Sequence, residues 1–153
     1  MIVRDLMTAA VISAPPTMPM IEARSLMVKE RIRHLPVTAP GGELLGIVTD
    51  RDVRLNLPSQ ATSLSIWELN HLLSKLTVEE VMTHGVITVS PDRPARDAAQ
   101  LMVDHQIGAL PVEEGGRLIG IVTETDMLRA FILLEGPLGS DRGWGWRSAR
   151  EGG

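Results

Sequence analysis

The sequence predicts a fold of the α/β class, more closely α+β, in which one β-α-β-β-α unit occurs twice. The first observation is internal repetition, because residues 3–8 recur as residues 78–83 at a shift of 75. The second is that residues 41–49 match residues 115–123 at a shift of 74, with the single deletion in a turn that tolerates it. The third is the order of apolar patterns, which is the same in both halves. Each half is therefore expected to fold in the same way.

The first two elements of each repeat are a short strand and a helix. The strand is β-branched, with Val11 and Ile12 in the first copy and residues 86–89 in the second, and it ends at a proline. The helix that follows has apolar residues at helical spacing on one face. These residues are Ala23, Leu26 and Met27 in the first repeat and Ala98, Leu101 and Met102 in the second.

A hairpin and a second helix complete each repeat. In the first repeat, residues 35–37 and 44–49 flank a turn that contains two glycines, and residues 110–112 and 118–123 do the same in the second. The second helix is expected to begin near Asp50 and near Glu124.

These patterns divide the chain into four parts. Residues 1–57 form the first repeat, 58–76 a connecting loop and helix, 77–135 the second repeat, and 136–153 a tail. Ser65 and Glu68 have the spacing of a capping box in the connecting helix, whose leucines share one stripe. The tail is Gly-rich and aperiodic, so disorder is predicted; its tryptophans and arginines leave docking to a partner as the alternative.

Composition excludes several classes of function. A formal net charge of -4 provides no positive field for nucleic acid or an anionic membrane, and no apolar run is long enough to cross a bilayer. The absence of cysteine excludes disulfides and thiolate sites and fits a reducing compartment. With no secretion signal in the sequence, a cytoplasmic location is expected.

The chemistry is concentrated where the hairpin meets the second helix. There the pattern Gly-x-x-Thr-x-x-Asp occurs twice, ending in Thr49 and Asp52 and in Thr123 and Asp126. A helix start favours an anion such as phosphate, and an Asp in the first turn can accept hydrogen bonds from the vicinal diol of a ribose. The pattern therefore indicates a nucleotide. The alternative is that Thr-x-x-Asp only caps the helix.

The repeated context favours the nucleotide, because it resembles a known family. A Met-Thr pair near each repeat start, a Leu-Pro-Val strand and the Gly-x-x-Thr-x-x-Asp turn are similar to the CBS domain, paired as a Bateman module, from Val3 to about Phe131. Residues 61–76 also resemble the CBS portion of acetoin-utilisation-type proteins.

The resemblance implies two repeats packed about a pseudo-twofold axis, with two clefts for adenosine ligands. It places Thr49 and Thr123 against phosphate, and Asp52 and Asp126 against the ribose hydroxyls. An apolar slot for adenine is expected beside Ile12, Leu35 and Pro36 in one cleft, and beside Ile87, Leu110 and Pro111 in the other. The implied ligand is AMP, ADP, ATP or S-adenosylmethionine, no cofactor is required, and a homodimer is the common assembly.

The two predicted clefts differ in charge. Arg33 and His34 precede the first Leu-Pro-Val strand, and Arg51 lies inside the first motif; Gly108, Ala109 and Thr125 take these positions in the second cleft. Cations make charge-assisted bonds to phosphate, so the cleft of Thr49 and Asp52 is expected to bind a polyphosphate. The alternative is that Arg33 and Arg51 are solvated surface residues.

Catalytic and metal sites are not expected. The Gly-x-x-x-x-Gly spacings lack the lysine of a P-loop, no histidine pairs with a carboxylate at ligand spacing, and no catalytic triad pattern occurs. The prediction is a regulatory module that binds an adenosine-containing nucleotide, with a ligand-free structural dimerisation module as the alternative. A catalytic role is the third hypothesis, which a turnover assay with ATP tests.

Overall fold

The structure, a computed structural model, describes residues 1–57, 65, 67–68, 71 and 74–136. It confirms the α+β fold with two related halves. The helices and strands follow in chain order: α1 Val3–Leu6, α2 Met20–Glu30, β1 His34–Thr38, β2 Leu44–Thr49, α3 Asp50–Asn56, α4 Val78–Val81, α5 Ala95–His105, β3 Ala109–Glu114, β4 Arg117–Thr123 and α6 Glu124–Glu135.

Each half contains one antiparallel hairpin in the predicted position. β1 pairs with β2, with His34 opposite Thr49, and β3 pairs with β4, with Ala109 opposite Thr123. The predicted first strands are not formed; only one parallel bridge is present in each half, Ala14 to Val37, two residues after Val11 and Ile12, and Val89 to Val112, at the end of residues 86–89. The prolines that follow in sequence provide no N–H and so prevent either ladder from continuing beyond the bridge.

The main helices have matching caps in the two halves. α2 and α5 both end at a residue in the left-handed conformation, Arg31 at φ 54° and Gln106 at φ 53°. Both caps donate their backbone N–H to carbonyls of the last helical turn. The pseudo-symmetry therefore extends to the backbone conformation.

The two halves exchange their first segments. Thr8 pairs with Ile121 of β4, and Thr83 pairs with Ile47 of β2, each through two backbone hydrogen bonds. Val3 is fully buried in the core of the second half, and Val78 and Met82 are buried in the core of the first. Each core is therefore completed by the segment that begins the other repeat.

The glycines of the repeated motif leave space for the exchanged first segments. A Cβ built on Gly46 would lie 2.5 Å from Sδ of Met82 and 2.8 Å from the carbonyl oxygen of Thr83. A Cβ on Gly120 would lie 2.6 Å from Sδ of Met7. No side chain fits at either glycine unless its neighbours move, so the Met-Thr pair and the motif glycine form one packing unit.

Parts of the predicted connection lie outside the described residues, namely the leucine stripe at 69, 72 and 73 and the tail at 137–153. The capping box is observed: Ser65 N and Oγ donate to Glu68 Oε2 at 2.9 and 3.1 Å, and Glu68 N donates to Ser65 Oγ at 3.2 Å. Among the described residues, no helix is long and apolar enough to cross a membrane. The cytoplasmic location stays a prediction.

Candidate nucleotide site

Both Thr-x-x-Asp motifs form capping boxes at the start of a helix. In α6, Oδ2 of Asp126 accepts from Thr123 N at 2.8 Å and from Thr123 Oγ1 at 3.0 Å, while Asp126 N donates to Thr123 Oγ1 at 3.3 Å. In α3, Thr49 and Asp52 make the same three bonds at 2.9, 3.0 and 3.2 Å. The capping alternative is therefore present in both halves, and the threonine hydroxyl protons are already donated.

Capping leaves half of each carboxylate available. The hydrogen bonds in the described part of the chain use Oδ2 of Asp52 and Asp126 and leave Oδ1 without a donor. Both side chains are half-buried, not sealed in the core. A carboxylate oxygen has two lone pairs, so Oδ1 can accept from ribose hydroxyls while Oδ2 holds the helix start.

Backbone amides at the start of α6 are mostly occupied. Glu124 N donates to the carbonyl of Gly108 at 3.0 Å, and Asp126 N is held by Thr123 Oγ1. The corresponding amide of Asp50 donates to the carbonyl of Arg33 at 3.0 Å. Arginine and histidine side chains, not the amides of the helix start, are thus the principal groups available to an anion.

A cavity of about 420 Å³ lies beside Asp126, between the two halves. This volume is within the range of small-molecule sites in proteins. Its apolar wall contains Val11, Ile12, Ile32 and Ile121. The charged and polar residues that line it are Thr8, Arg31, Arg33, His34, Thr123, Glu124, Thr125, Asp126 and Arg129.

His34 is half-buried in the wall of this cavity, next to Gly108. A Cβ built on Gly108 would lie 3.4 Å from both Cε1 and Nε2 of the imidazole ring, so glycine leaves space for the ring. Burial lowers the pKa of His34; Asp50 and Glu124 oppose this effect and Arg33 adds to it. The imidazole is therefore held mainly neutral near pH 7, and an anion placed beside it would favour its protonation.

The structure groups the predicted residues differently from the sequence. Ile12, Arg33 and His34, from the first repeat, line the cavity of Thr123 and Asp126, from the second. Leu35, Pro36, Leu110 and Pro111 are fully buried in the core. Ala109 is also buried, and Ile87 packs against the core of the second half. Thr49, Arg51 and Asp52 do not line this cavity. The residues that line the cavity therefore come from both repeats and not from one.

This arrangement changes the cleft in which a polyphosphate is expected to bind. Arg33 and His34 were expected in the cleft of Thr49 and Asp52. Their backbones do lie beside that motif, with His34 opposite Thr49, but both residues line the Asp126 cavity. Only Arg51, inside the first motif, stays adjacent to Thr49 in sequence. The cluster of cations is thus on the side of Asp126.

Two cations of the cavity were missed in the sequence. Arg129 is three residues after Asp126 on α6, a spacing that places both side chains on one face of a helix. Arg31 is the left-handed cap of α2. The three-residue spacing between Asp126 and Arg129 predicts that their side chains lie close together, whereas the position of Arg31 depends on the packing between the halves.

The pseudo-symmetric positions of the other half lack these cations. Shifts of 75 and 74 residues relate Arg31, Arg33, His34 and Arg129 to Gln106, Gly108, Ala109 and Leu55. Among the described residues, no cluster of three or more His, Asp or Glu has metal-binding geometry. Two other lining positions, Gly108 and Thr125, correspond to Arg33 and Arg51, so the cleft of Thr49 and Asp52 has fewer cations than the Asp126 cavity but is not without them.

Comparison with known families agrees with the fold and the repeat. The CBS domain model matches residues 3–59 and 78–133, most of the chain. The chain belongs to the CBS domain family. Both matches contain the Thr-x-x-Asp turn.

Other CBS proteins are similar over most of this chain. The CBS domain-containing protein YhcV of Bacillus subtilis is 34% identical over 82% of the chain and 81% of its own length. The L-aspartate semialdehyde sulfurtransferase of Methanocaldococcus jannaschii is 32% identical over 85% of the chain, which spans only 23% of that enzyme.

Solved CBS structures include complexes with adenosine ligands. The CBS domain pair of MJ0100 in complex with 5-methylthioadenosine and S-adenosyl-L-methionine has a TM-score of 0.70 at 31% identity, over 86% of this chain and 95% of that one. CBSX2 in complex with AMP has a TM-score of 0.75 at 29% identity, over 88% and 98%. An acetoin utilization protein (AcuB) of Vibrio cholerae has a TM-score of 0.73 at 32% identity, over 88% and 93%.

Proposed function

We propose that this CBS pair is a regulatory module that binds an adenosine-containing nucleotide in the Asp126 cavity. The observation that carries the proposal is the available Oδ1 of Asp126 in a cavity that also contains an apolar wall and a cluster of cations. These three features match a ribose diol, a purine and a phosphate. The complexes of CBSX2 with AMP and of MJ0100 with adenosine derivatives support the ligand class.

Each part of the nucleotide has a matching wall. Oδ1 of Asp126 accepts from the ribose hydroxyls. Val11, Ile12 and Ile121 offer an apolar surface for the adenine. Arg33 and Arg129 donate to phosphate oxygens, for which a guanidinium has suitable geometry.

The cations favour a phosphate-bearing ligand over S-adenosylmethionine. The latter carries a sulfonium cation, which arginines at the same site would repel, although its carboxylate is an anion. AMP, ADP and ATP add one, two and three phosphates, so the order of their affinities reports how many phosphates contact the arginines. The ligand would act by binding one conformation of the module better than another, since equal affinities shift no population.

Thermal shift and titration calorimetry with AMP, ADP, ATP, NAD, 5-methylthioadenosine and S-adenosylmethionine test the proposal. Asp126→Ala and Asp52→Ala form a matched pair, because each removes one capping box. Loss of a cap costs about 1 kcal/mol, so both variants are expected to melt a few degrees lower than the wild type. Only Asp126→Ala is expected to lose the additional stabilisation by nucleotide.

Arg33→Ala and Arg51→Ala form a second pair. We expect Arg33→Ala to weaken ADP binding by about tenfold, the loss of roughly 1.4 kcal/mol, and Arg51→Ala to have a much smaller effect. If Asp52→Ala abolishes binding and Asp126→Ala does not, the ligand occupies the other cleft and this assignment is wrong.

The alternative is a ligand-free dimerisation module without catalytic activity. The capping boxes favour it, because both carboxylates already have a structural role. It predicts no stabilisation by any of the six compounds. Absence of ATP turnover under saturating conditions is expected of both hypotheses and would exclude the third, catalytic one.

We also propose that the chain functions as a homodimer. α6 exposes a run of large apolar side chains, with 61% of Phe131, 63% of Leu128 and 72% of Leu134 accessible. Exposed apolar clusters of this kind mark interaction surfaces. A second copy would cover them, and sedimentation equilibrium provides the direct measurement.

A further inference from the structure

A second cavity lies on the helical side of the first half, apart from the motif threonines and aspartates. Its volume is about 480 Å³, and it lies between α2 and α3. The floor is apolar and contains Met27, Val28, Ile32 and Val53, and the rim contains Arg24, Arg31, Arg33, Arg54 and Asp50. We call this cavity the basic groove.

The rim has one partly neutralised cation and three more arginines. Arg54 lies 3.7 Å from Asp50; the arginine side chain is largely exposed and the aspartate is about half-exposed. Exposed pairs of this kind contribute little to stability. An apolar floor surrounded by arginines fits a partner that is apolar at its centre and acidic around it.

The helices of both halves expose large apolar side chains, Val28 and Leu55 in the first half, but the corresponding surface of the second half exposes more of them and lacks the rim arginines. Pseudo-symmetry relates Arg24, Arg31, Arg33 and Arg54 to Ala99, Gln106, Gly108 and Leu128. Exposed apolar side chains dominate this surface, which we call the apolar face: Val103, Leu128, Phe131 and Ile132. None of the positions equivalent to the four rim arginines of the basic groove is an arginine on the apolar face.

Formal charge follows the same division. Residues 20–33 and 50–57 contain six basic and four acidic side chains, a net charge of +2. Residues 95–108 and 124–135 contain two basic and five acidic side chains, a net charge of -3 with histidine neutral. The helical segments of the two halves thus carry net charges of opposite sign, so pairing unlike segments is favoured over pairing like ones.

We infer that the basic groove of one copy receives the apolar face of a second copy, head to tail. In this arrangement the groove of each copy takes the apolar face of the other, so the assembly is closed and two-fold symmetric. A head-to-head arrangement would instead place two sets of groove arginines against each other, which costs free energy through like-charge contact. The inference rests on the homodimer proposed above and adds its orientation.

The orientation can be tested with cysteines, because the natural chain contains none. Val28 and Val103 are equivalent positions, one in each half, and each is 72% exposed. Head-to-tail assembly places position 28 of one copy near position 103 of the other. Single variants Val28→Cys and Val103→Cys are treated with a flexible bismaleimide, each alone and as an equimolar mixture.

We expect cross-linked dimers in the mixture and almost none in either variant alone. Efficient cross-linking of Val28→Cys with itself would overturn the head-to-tail orientation and leave the homodimer intact. A mass near 16.7 kDa at high concentration in sedimentation equilibrium, with no cross-link in any sample, would overturn the orientation and the homodimer together. The cross-linking is done without nucleotide, and nucleotide stabilisation is measured separately, because binding in the Asp126 cavity requires neither orientation of the dimer.

Charge reversal provides a second test that avoids the residues of the nucleotide cavity. Arg24→Glu with Arg54→Glu changes the groove rim, and Arg117→Glu makes the same kind of change on the hairpin turn outside both surfaces. We expect the double variant to raise the dimer dissociation constant about tenfold or more at low salt and the control to leave it within twofold. An unchanged dissociation constant in the double variant would contradict the docking of an acidic surface on this groove.

Discussion

At the scale of single residues, the motif aspartates combine an observed capping role with the binding role proposed for Asp126. Oδ2 of Asp126 closes the capping box with Thr123, and Oδ1 is left for a ligand. The same local geometry occurs at Asp52, so capping alone does not distinguish the two motifs. The difference lies in the neighbours, since Arg31, Arg33, His34 and Arg129 line the Asp126 cavity.

His34 is expected to make the stability of the fold, and the proposed nucleotide binding, depend on pH. Its pKa is lowered in the folded protein, mainly by burial, relative to an ordinary value of 6.5. Above pH 6.5 the imidazole is neutral whether the chain is folded or unfolded, so no penalty arises. As pH falls through 6.5, the unfolded chain binds the proton more readily, and stability decreases until pH passes below the folded pKa.

We therefore expect the melting temperature of the wild type to fall more steeply between pH 7 and pH 5.5 than that of His34→Gln. His105→Gln, an exposed histidine at the end of α5, is the matched control and should follow the wild type. Bound ADP should reduce the loss at low pH, since phosphate favours the protonated imidazole. Identical slopes for the wild type and His34→Gln would show that this histidine is not the responsible group.

At the scale of elements, the exchange of first segments depends on two glycines. A Cβ on Gly46 would meet the backbone oxygen of Thr83 at 2.8 Å, whereas a Cβ on Gly120 would meet that of Thr8 at 3.2 Å. Both would also meet a flexible methionine side chain. We expect Gly46→Ala to lower the free energy of unfolding by about 1–3 kcal/mol and Gly120→Ala by less, measured by denaturant titration. Equal losses, or the reverse order, would contradict this account of the exchange.

Much of the element order was predictable, because it depends on local patterns. The hairpins, the start of α3 after Thr49 and the start of α6 after Thr123 follow from alternation, turn glycines and capping residues. The first strands were overestimated, because a short apolar run before a proline has the same sequence pattern whether one residue or several pair with a neighbouring strand.

Which residues come together in one cavity was harder to predict than which types of residue form the site. Internal repetition shows that residues 3–8 and 78–83 are equivalent, but it does not show which half each segment completes. The bridge between Thr8 and Ile121 brings Ile12 to the cavity of Asp126, and the approach of the His34 ring to Gly108 brings His34 and its neighbour Arg33 there. Long-range packing decides the grouping, and no local pattern encodes it.

At the scale of the whole molecule, the Asp126 cavity, proposed as the nucleotide site, and the basic groove share one wall. Arg31, Ile32 and Arg33 line both, and Arg31 is held in the left-handed conformation at the end of α2. An anion in the nucleotide cavity would neutralise cations that the groove also uses for an acidic partner. The shared wall thus connects the proposed ligand with the proposed interface.

This connection predicts that nucleotide binding and self-association oppose each other. Saturating ADP should raise the dimer dissociation constant a few-fold. Because the dimer has two ADP sites, thermodynamic reciprocity requires each of them to bind ADP more weakly than the monomer does by the square root of that factor. Sedimentation equilibrium with and without ADP measures the first effect, and calorimetry at low and high protein concentration measures the second. 5-Methylthioadenosine, which lacks phosphate, is the matched control and should leave the dimer unchanged if it binds. A dissociation constant that ADP does not alter would mean that the shared wall transmits no charge effect, whereas tighter association with ADP would mean that the phosphates strengthen the contact between the two copies.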